Sequence, residues 1–130
     1  MIYSKMSDFE INKEVAKKLG MKIKTEFDNK FGFTERYHAE YPSTVWAAEC
    51  ANGRQFSPWE QVCYTGDWAD IGPIIEKYGI DIEWPEDHLG SIGSCKKYRQ
   101  GDTDIIVEFK LKSQALRTAA IVFLMIEVKG

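Results

Sequence analysis

Residues 115–127 read ALRTAAIVFLMIE, the most apolar stretch of the chain. Arg117 and Thr118 are the only polar residues in the interior of a helix spanning 114–127, so such a helix is apolar on nearly every side. A helix of that kind has no face to offer water and belongs in the centre of a core. At roughly 1.5–3 kcal/mol for each fully buried large side chain, Leu116, Ile121, Val122, Phe123, Leu124, Met125 and Ile126 would supply much of the hydrophobic stabilisation. Ser113 is expected to cap it. The rest of the chain has to wrap this segment.

Working outward, 104–112 is rich in β-branched residues and reads as a strand, and 94–98 as another. Ile80, Ile82 and Trp84 alternate with Asp81 and Glu83 in the same way, with 85–93 as loop. A short helix over 70–78 precedes them, capped by Asp67 or Asp70 and ended by Gly79. It accommodates Pro73 only if that residue lies in its first turn. Near the N-terminus, Ser7 and Glu10 form an S-x-x-E capping box, Met6 and Ile11 stand where a hydrophobic staple closes, and Gly20 marks a stop. The spacing predicts a helix over 8–19 with Ile11, Val15 and Leu19 as its apolar stripe and Glu14 paired with Lys18 on the wet side.

Between these helices the period is two. Met21, Ile23, Thr25 and Phe27 alternate with Lys22, Lys24 and Glu26, and 31–41 puts Phe31, Phe33, Tyr37, Ala39 and Tyr41 on one side, which predicts a hairpin. After Pro42, 44–51 reads as a strand, and Asn52-Gly53 is a two-residue turn leading into Arg54, Gln55 and Phe56. Residues 57–66 read as an aromatic, turn-rich loop. The expected fold class is α+β: one domain over 1–130, with a mainly antiparallel sheet packed against a buried C-terminal helix, an N-terminal helix and a short middle helix.

Composition narrows the function classes. With 17 basic against 20 acidic residues the formal net charge is −3, too small to draw the chain onto nucleic acid or an anionic membrane and too weakly acidic to mimic DNA. The three cysteines, Cys50, Cys63 and Cys95, have no C-x-x-C spacing, and an odd count fits a reducing compartment better than a disulfide framework. The longest apolar run, 119–126, falls far short of the ~20 residues that span a bilayer, and the first residues lack a signal-peptide pattern. Neither export nor membrane insertion is expected.

Three stretches carry a family resemblance: SDFEINKEVAKKLG at 7–20, DWADIGPIIEKYGI at 67–80 and ALRTAAIVFLMIE at 115–127. In order and spacing they resemble the NinX-like family of small phage proteins, and the third stretch is the most specific. The centre departs from the pattern: Phe56-Ser57-Pro58 is followed by an extra Trp59-Glu60-Gln61-Val62-Cys63-Tyr64. The resemblance implies a phage or prophage accessory protein acting in the host cell cytoplasm, and it brings no catalytic or binding residues with it.

No complete catalytic set stands in the sequence. His38-Ala39-Glu40 matches the first half of a zinc deaminase signature, but the cysteine pair that must follow is missing. A cysteine nucleophile would need His38 or His88 brought against Cys63 or Cys95 by the fold. The glycines of LGSIGS at 89–94 lack the lysine and hydroxyl residue of a phosphate loop. Lys96-Lys97-Tyr98-Arg99 could stack and pair on nucleic acid, or be a solvated strand end. No metal and no cofactor is expected.

The segment 54–70 is the candidate contact region, with Phe56, Trp59, Tyr64 and Trp68 in irregular backbone. Its rings either plug one end of the sheet or form a recognition surface, since tryptophan, tyrosine and arginine are favoured in interface hot spots. Trp68 and Pro73 would lock the short helix onto the sheet, whereas Arg54, Trp59 and Tyr64 would face a partner. The leading expectation is a non-enzymatic protein that binds a host component, such as a defence or regulatory protein, in host takeover or counter-defence, through the loop over 54–64 with help from neighbouring strand residues. The alternative is a sequestering protein that holds a small nucleotide-like ligand between Trp59 and Tyr64, with Arg54 on its phosphate. The edge strands could also pair between chains unless the lysines along 21–27 prevent it.

Overall fold

The computed structural model describes residues 3–25, 45–86, 91–99, 101 and 103–126. The hairpin expected at 31–41 lies outside the described residues, as do His38, Glu40 and His88.

The N-terminal helix forms where the caps place it. Helix α1 (Asp8–Lys18) starts at Ser7, whose side chain accepts the Glu10 N–H at 3.2 Å. It stops at Gly20, whose φ of +77° lets the Gly20 and Met21 N–H groups reach back to the Lys17 and Ala16 carbonyls. This paired reversal satisfies carbonyls that the helix would otherwise leave open. Ile11 and Val15 are fully buried on its inner face, and Met6 packs partly against the core.

From there the chain runs into β1 (Lys22–Thr25), which pairs antiparallel with β2 (Val45–Ala48), and β2 pairs antiparallel with β5 (Glu60–Val62). The loop expected over 57–66 thus contains a strand: Val45 and Val62 face each other across the ladder, and Val62 is buried. Two-residue strands β3 (Cys50–Ala51) and β4 (Arg54–Gln55) make a separate hairpin.

Helix α2 (Trp68–Tyr78) begins earlier than expected. Asp67 is the cap, accepting the Ala69 N–H at 2.9 Å, which leaves Asp70 inside the helix and Pro73 beyond the first turn. Of α2, Ile71 and Ile74 meet the core while Pro73 stays exposed. Gly79, with φ +64°, closes it. A second three-stranded antiparallel sheet follows, in the order β6 (Asp81–Glu83), β7 (Gly93–Lys97), β8 (Ile105–Phe109).

Helix α3 (Ala115–Met125) is the centre that the sequence demanded. It packs on β7 and β8, on α2 and on α1, and α1 in turn lies on β1 and β2. The C-terminal helix therefore touches the second sheet directly and reaches the first through α1. Ala115, Ala119 and Ala120 are wholly buried and let neighbours approach closely, whereas Leu116, Leu124 and Ile126 are only partly covered and Met125 is 40% exposed. Ser113 does not cap it. It sits inside a 3-10 turn (Lys112–Gln114), and the Gln114 side chain folds back to accept the Lys110 and Leu111 N–H groups. The buried Thr118 hydroxyl donates to the Gln114 carbonyl at 2.7 Å, so it is satisfied within the helix.

Lys18 also departs from expectation. Glu14 pairs with Lys17 at 3.6 Å, and Lys18 instead reaches the end of α3, donating to the Phe123 carbonyl at 2.6 Å and to the carbonyls of Leu124 and Ile126. A cation there satisfies the open carbonyls and the negative end of the helix dipole. Burial lowers the Lys18 pKa. At the opposite end, Arg117 of α3 bonds Asp8 at 2.5 Å and the Met6 carbonyl, so both ends of the buried helix are tied to α1.

Candidate functional site

Residues 54–70 begin at a turn with a strict backbone requirement. Asn52 and Gly53 have φ of 52° and 75°, the paired left-handed conformation that reverses a strand in two residues. Cys50 then pairs with Gln55 and Ala51 with Arg54. The Phe56 N–H donates to the Glu49 carbonyl at 3.0 Å, and the Glu49 N–H donates to the Ser57 hydroxyl at 2.8 Å, so the hairpin base is closed on both sides. This fixes Arg54 in solvent and leaves the Phe56 ring 65% exposed. Phe56, Leu19, Gly20, Met21, Glu49 and Cys50 line a shallow cavity of about 350 Å³, where the Cys50 thiol donates to the Gly20 carbonyl at 3.3 Å.

Trp59 is half-buried. Tyr64 is core: it is 4% exposed and its hydroxyl donates to the Met21 sulfur at 3.6 Å. Its ring therefore offers no face to a partner or a ligand, which corrects its assignment to the contact group and removes it as a stacking partner for Trp59. The reason is Val62, whose place in β5 draws the following residues inward. Asp70 reinforces this by accepting the Cys63 N–H at 2.9 Å. Trp68 points the other way, 55% exposed, and lies along its own helix. A side chain at Gly72 would come within 2.9 Å of its indole nitrogen, so Gly72 leaves room for that ring. Ile71 and Ile74, not Trp68 and Pro73, hold α2 in place.

Burial raises the Tyr64 pKa to about 12, with the Asp70 carboxylate adding to the shift. The unfolded chain, at about 10, loses this proton first, so the stability tied to the neutral phenol is complete below pH 10 and drains away as pH rises towards about 12. Urea midpoints of the wild type and of Tyr64→Phe, followed across that window, should converge from a difference set at neutral pH, with the wild type falling more steeply. Parallel curves would show that Tyr64 ionises alike in both states.

The sequence profile of the family described as Bacteriophage P22, NinX matches residues 2–127. This chain belongs to that family. It is a phage accessory protein. No curated protein and no solved structure proved similar to it. Residues 59–64 lie within that match, and the structure places β5 and the inward Tyr64 there. Among the described residues no helix is long and apolar enough to cross a membrane.

Among the described residues of this NinX family member, the other chemistry-bearing side chains are placed as follows. Cys95 is fully buried with its thiol directed at the Ala115 carbonyl, and burial pushes its pKa up to about 12, the reverse of what a nucleophile needs. Cys63 lies 3.9 Å from the Thr65 hydroxyl. Gly93 is a buried strand residue of β7, not a loop glycine: a side chain there would meet the Phe109 ring at 2.6 Å and the Glu83 carbonyl at 2.7 Å. In the basic cluster, Lys96 bonds Glu83 at 2.9 Å, which raises the lysine pKa and lowers that of the carboxyl, and Arg99 donates to the Thr103 carbonyl at 2.6 Å. Among the described residues, no three of His, Cys, Asp and Glu come together as metal ligands.

Phe56, counted within the region 54–70 but not among the residues expected to face a partner, is more exposed than Trp68. The signal was present: a two-residue turn at 52–53 starts a strand at Arg54, and the period of two then places residues 54 and 56 on one face.

Proposed function

We propose that this phage accessory protein acts by binding and that it engages a host protein in the cytoplasm of the infected cell. The contact surface is the outer part of the β3–β4 hairpin and its continuation, with Phe56 and Arg54 as anchors and Trp59 following three residues on in the chain. The observation that carries this reading is the rigid presentation of a phenylalanine, 65% exposed, next to an exposed arginine. The turn and the Glu49 hydrogen bonds have already removed most of the backbone freedom that binding would have to remove, which favours affinity. A partner that fits would present an apolar cleft for the ring and a carboxylate for the guanidinium.

The test is affinity capture from host lysate on immobilised full-length chain, quantified by mass spectrometry. A specific host protein should be retained by the wild type and weakened roughly 30-fold by Phe56→Ala, the loss of one hot-spot side chain. Recovery of the same proteins in equal amounts by Phe56→Ala and Arg54→Ala would remove this surface from consideration.

A further inference from the structure

The second sheet ends, among the described residues, on β8, and the residues of that strand alternate sharply. Its odd-numbered residues follow the core-facing partners Gly93, Cys95 and Lys97, and its even-numbered residues follow Ser94 and Lys96 on the outer face. Ile105 and Phe109 are buried, yet Val107, opposite the fully buried Cys95, is only half-covered. Ile106 is 55% exposed. A β-branched outer strand with an incompletely covered central residue is a template for strand addition.

We propose that two copies of this chain associate through β8, antiparallel, to extend the three-stranded sheet across a twofold axis. Such an interface is self-complementary. Directly opposed residues of an antiparallel pair share a face, so a twofold axis passing beside any one residue keeps core face with core face. Charge then selects the register. With the axis at Ile106, Asp104 stands opposite Glu108 of the second copy. With the axis at Glu108, the two Glu108 carboxylates oppose each other. With the axis at Val107, Asp104 stands opposite Lys110 twice, Ile105 opposite Phe109 twice, and the two half-covered Val107 side chains cover one another. Opposite charges in directly facing positions favour pairing and like charges disfavour it, so of these three registers, which centre on the strand, the one at Val107 is the one its charges favour. Asp104 and Lys110 are both exposed, at the two ends of β8.

Size-exclusion chromatography with light scattering on the full chain tests this. The wild type should show twice the 14.9 kDa chain mass, dissociating on dilution. Lys110→Glu and Asp104→Lys should each weaken self-association roughly tenfold or more, because attraction at two symmetric pairs becomes repulsion. An equimolar mixture of those two variants should restore dimers, since every facing pair in the mixed species is again of opposite sign. Circular dichroism of each variant separates loss of pairing from loss of fold, and mixing-induced recovery cannot arise from an unfolded variant. A wild type that stays monomeric at high concentration, or a dimer indifferent to both reversals, would overturn the proposal.

Discussion

Phe123→Ala should lower the free energy of unfolding by about 3–5 kcal/mol, the range for emptying a buried phenylalanine site. A domain of this size has only ~5–15 kcal/mol in total, so the urea midpoint should fall by a large fraction. The expectation rests on where the ring sits. Phe123 is 1% exposed, its centroid lies 4.9 Å from that of Tyr78 on α2, and the Lys18 ammonium stands 4.8 Å above its face. Three helices thus meet at one side chain, and its removal leaves a void bounded by elements whose other contacts hold them apart. Phe123→Asp goes further by placing an unpaired carboxylate in that void, and should abolish the cooperative transition altogether. Met125→Ala, two residues on but 40% exposed, should change stability by no more than about 0.5 kcal/mol. Equal effects at 123 and 125 would mean that α3 is not seated as described.

Asn12→Ala is the second large effect, and it acts through polarity instead of volume. Asn12 and Thr65 are each 7% exposed. The Asn12 amide donates to the Thr65 hydroxyl at 3.3 Å, and its carbonyl oxygen accepts the Thr65 N–H at 3.0 Å. These two bonds join α1 to the chain that leaves β5, across 53 residues of sequence. Alanine leaves the Thr65 N–H buried without its acceptor, which costs about 1–3 kcal/mol for that group alone. A cycle with Thr65→Val isolates the shared part, since the hydroxyl bond is missing in both single variants, and should give a coupling energy of about 0.5–3 kcal/mol. Strict additivity of the two substitutions would show that the side chains do not interact.

Asn12 also shows where sequence reading stops. It stands beside Ile11 on a helix whose apolar stripe is narrow, and nothing local marks it as buried. Its partner is a threonine in a segment read as open loop. Lys18 is a similar case: Glu14 four residues earlier is a sound local partner, yet the lysine turns to the end of α3 because open carbonyls there offer more than one partly exposed carboxylate. Among the aromatic residues of 54–70, inward Tyr64 and outward Phe56 and Trp68 are chemically alike in one dimension. Their directions depend on β5 joining the first sheet and on Gly72 making room for an indole.

Local chemistry is enough to set the elements whose causes are local: the caps of α1, the Asn52-Gly53 reversal, the Gly79 stop and the largely apolar α3 that had to be central. Each follows from the dihedral preference, side-chain reach or hydrophobicity of a few consecutive residues. Tertiary structure alone decided that the strands divide between sheets, that Asp67 and not Asp70 starts α2, which rings meet water, and which polar groups find each other across the core. Those outcomes depend on partners distant along the chain, and the free energy of such a contact belongs to the pair, so neither residue announces it alone.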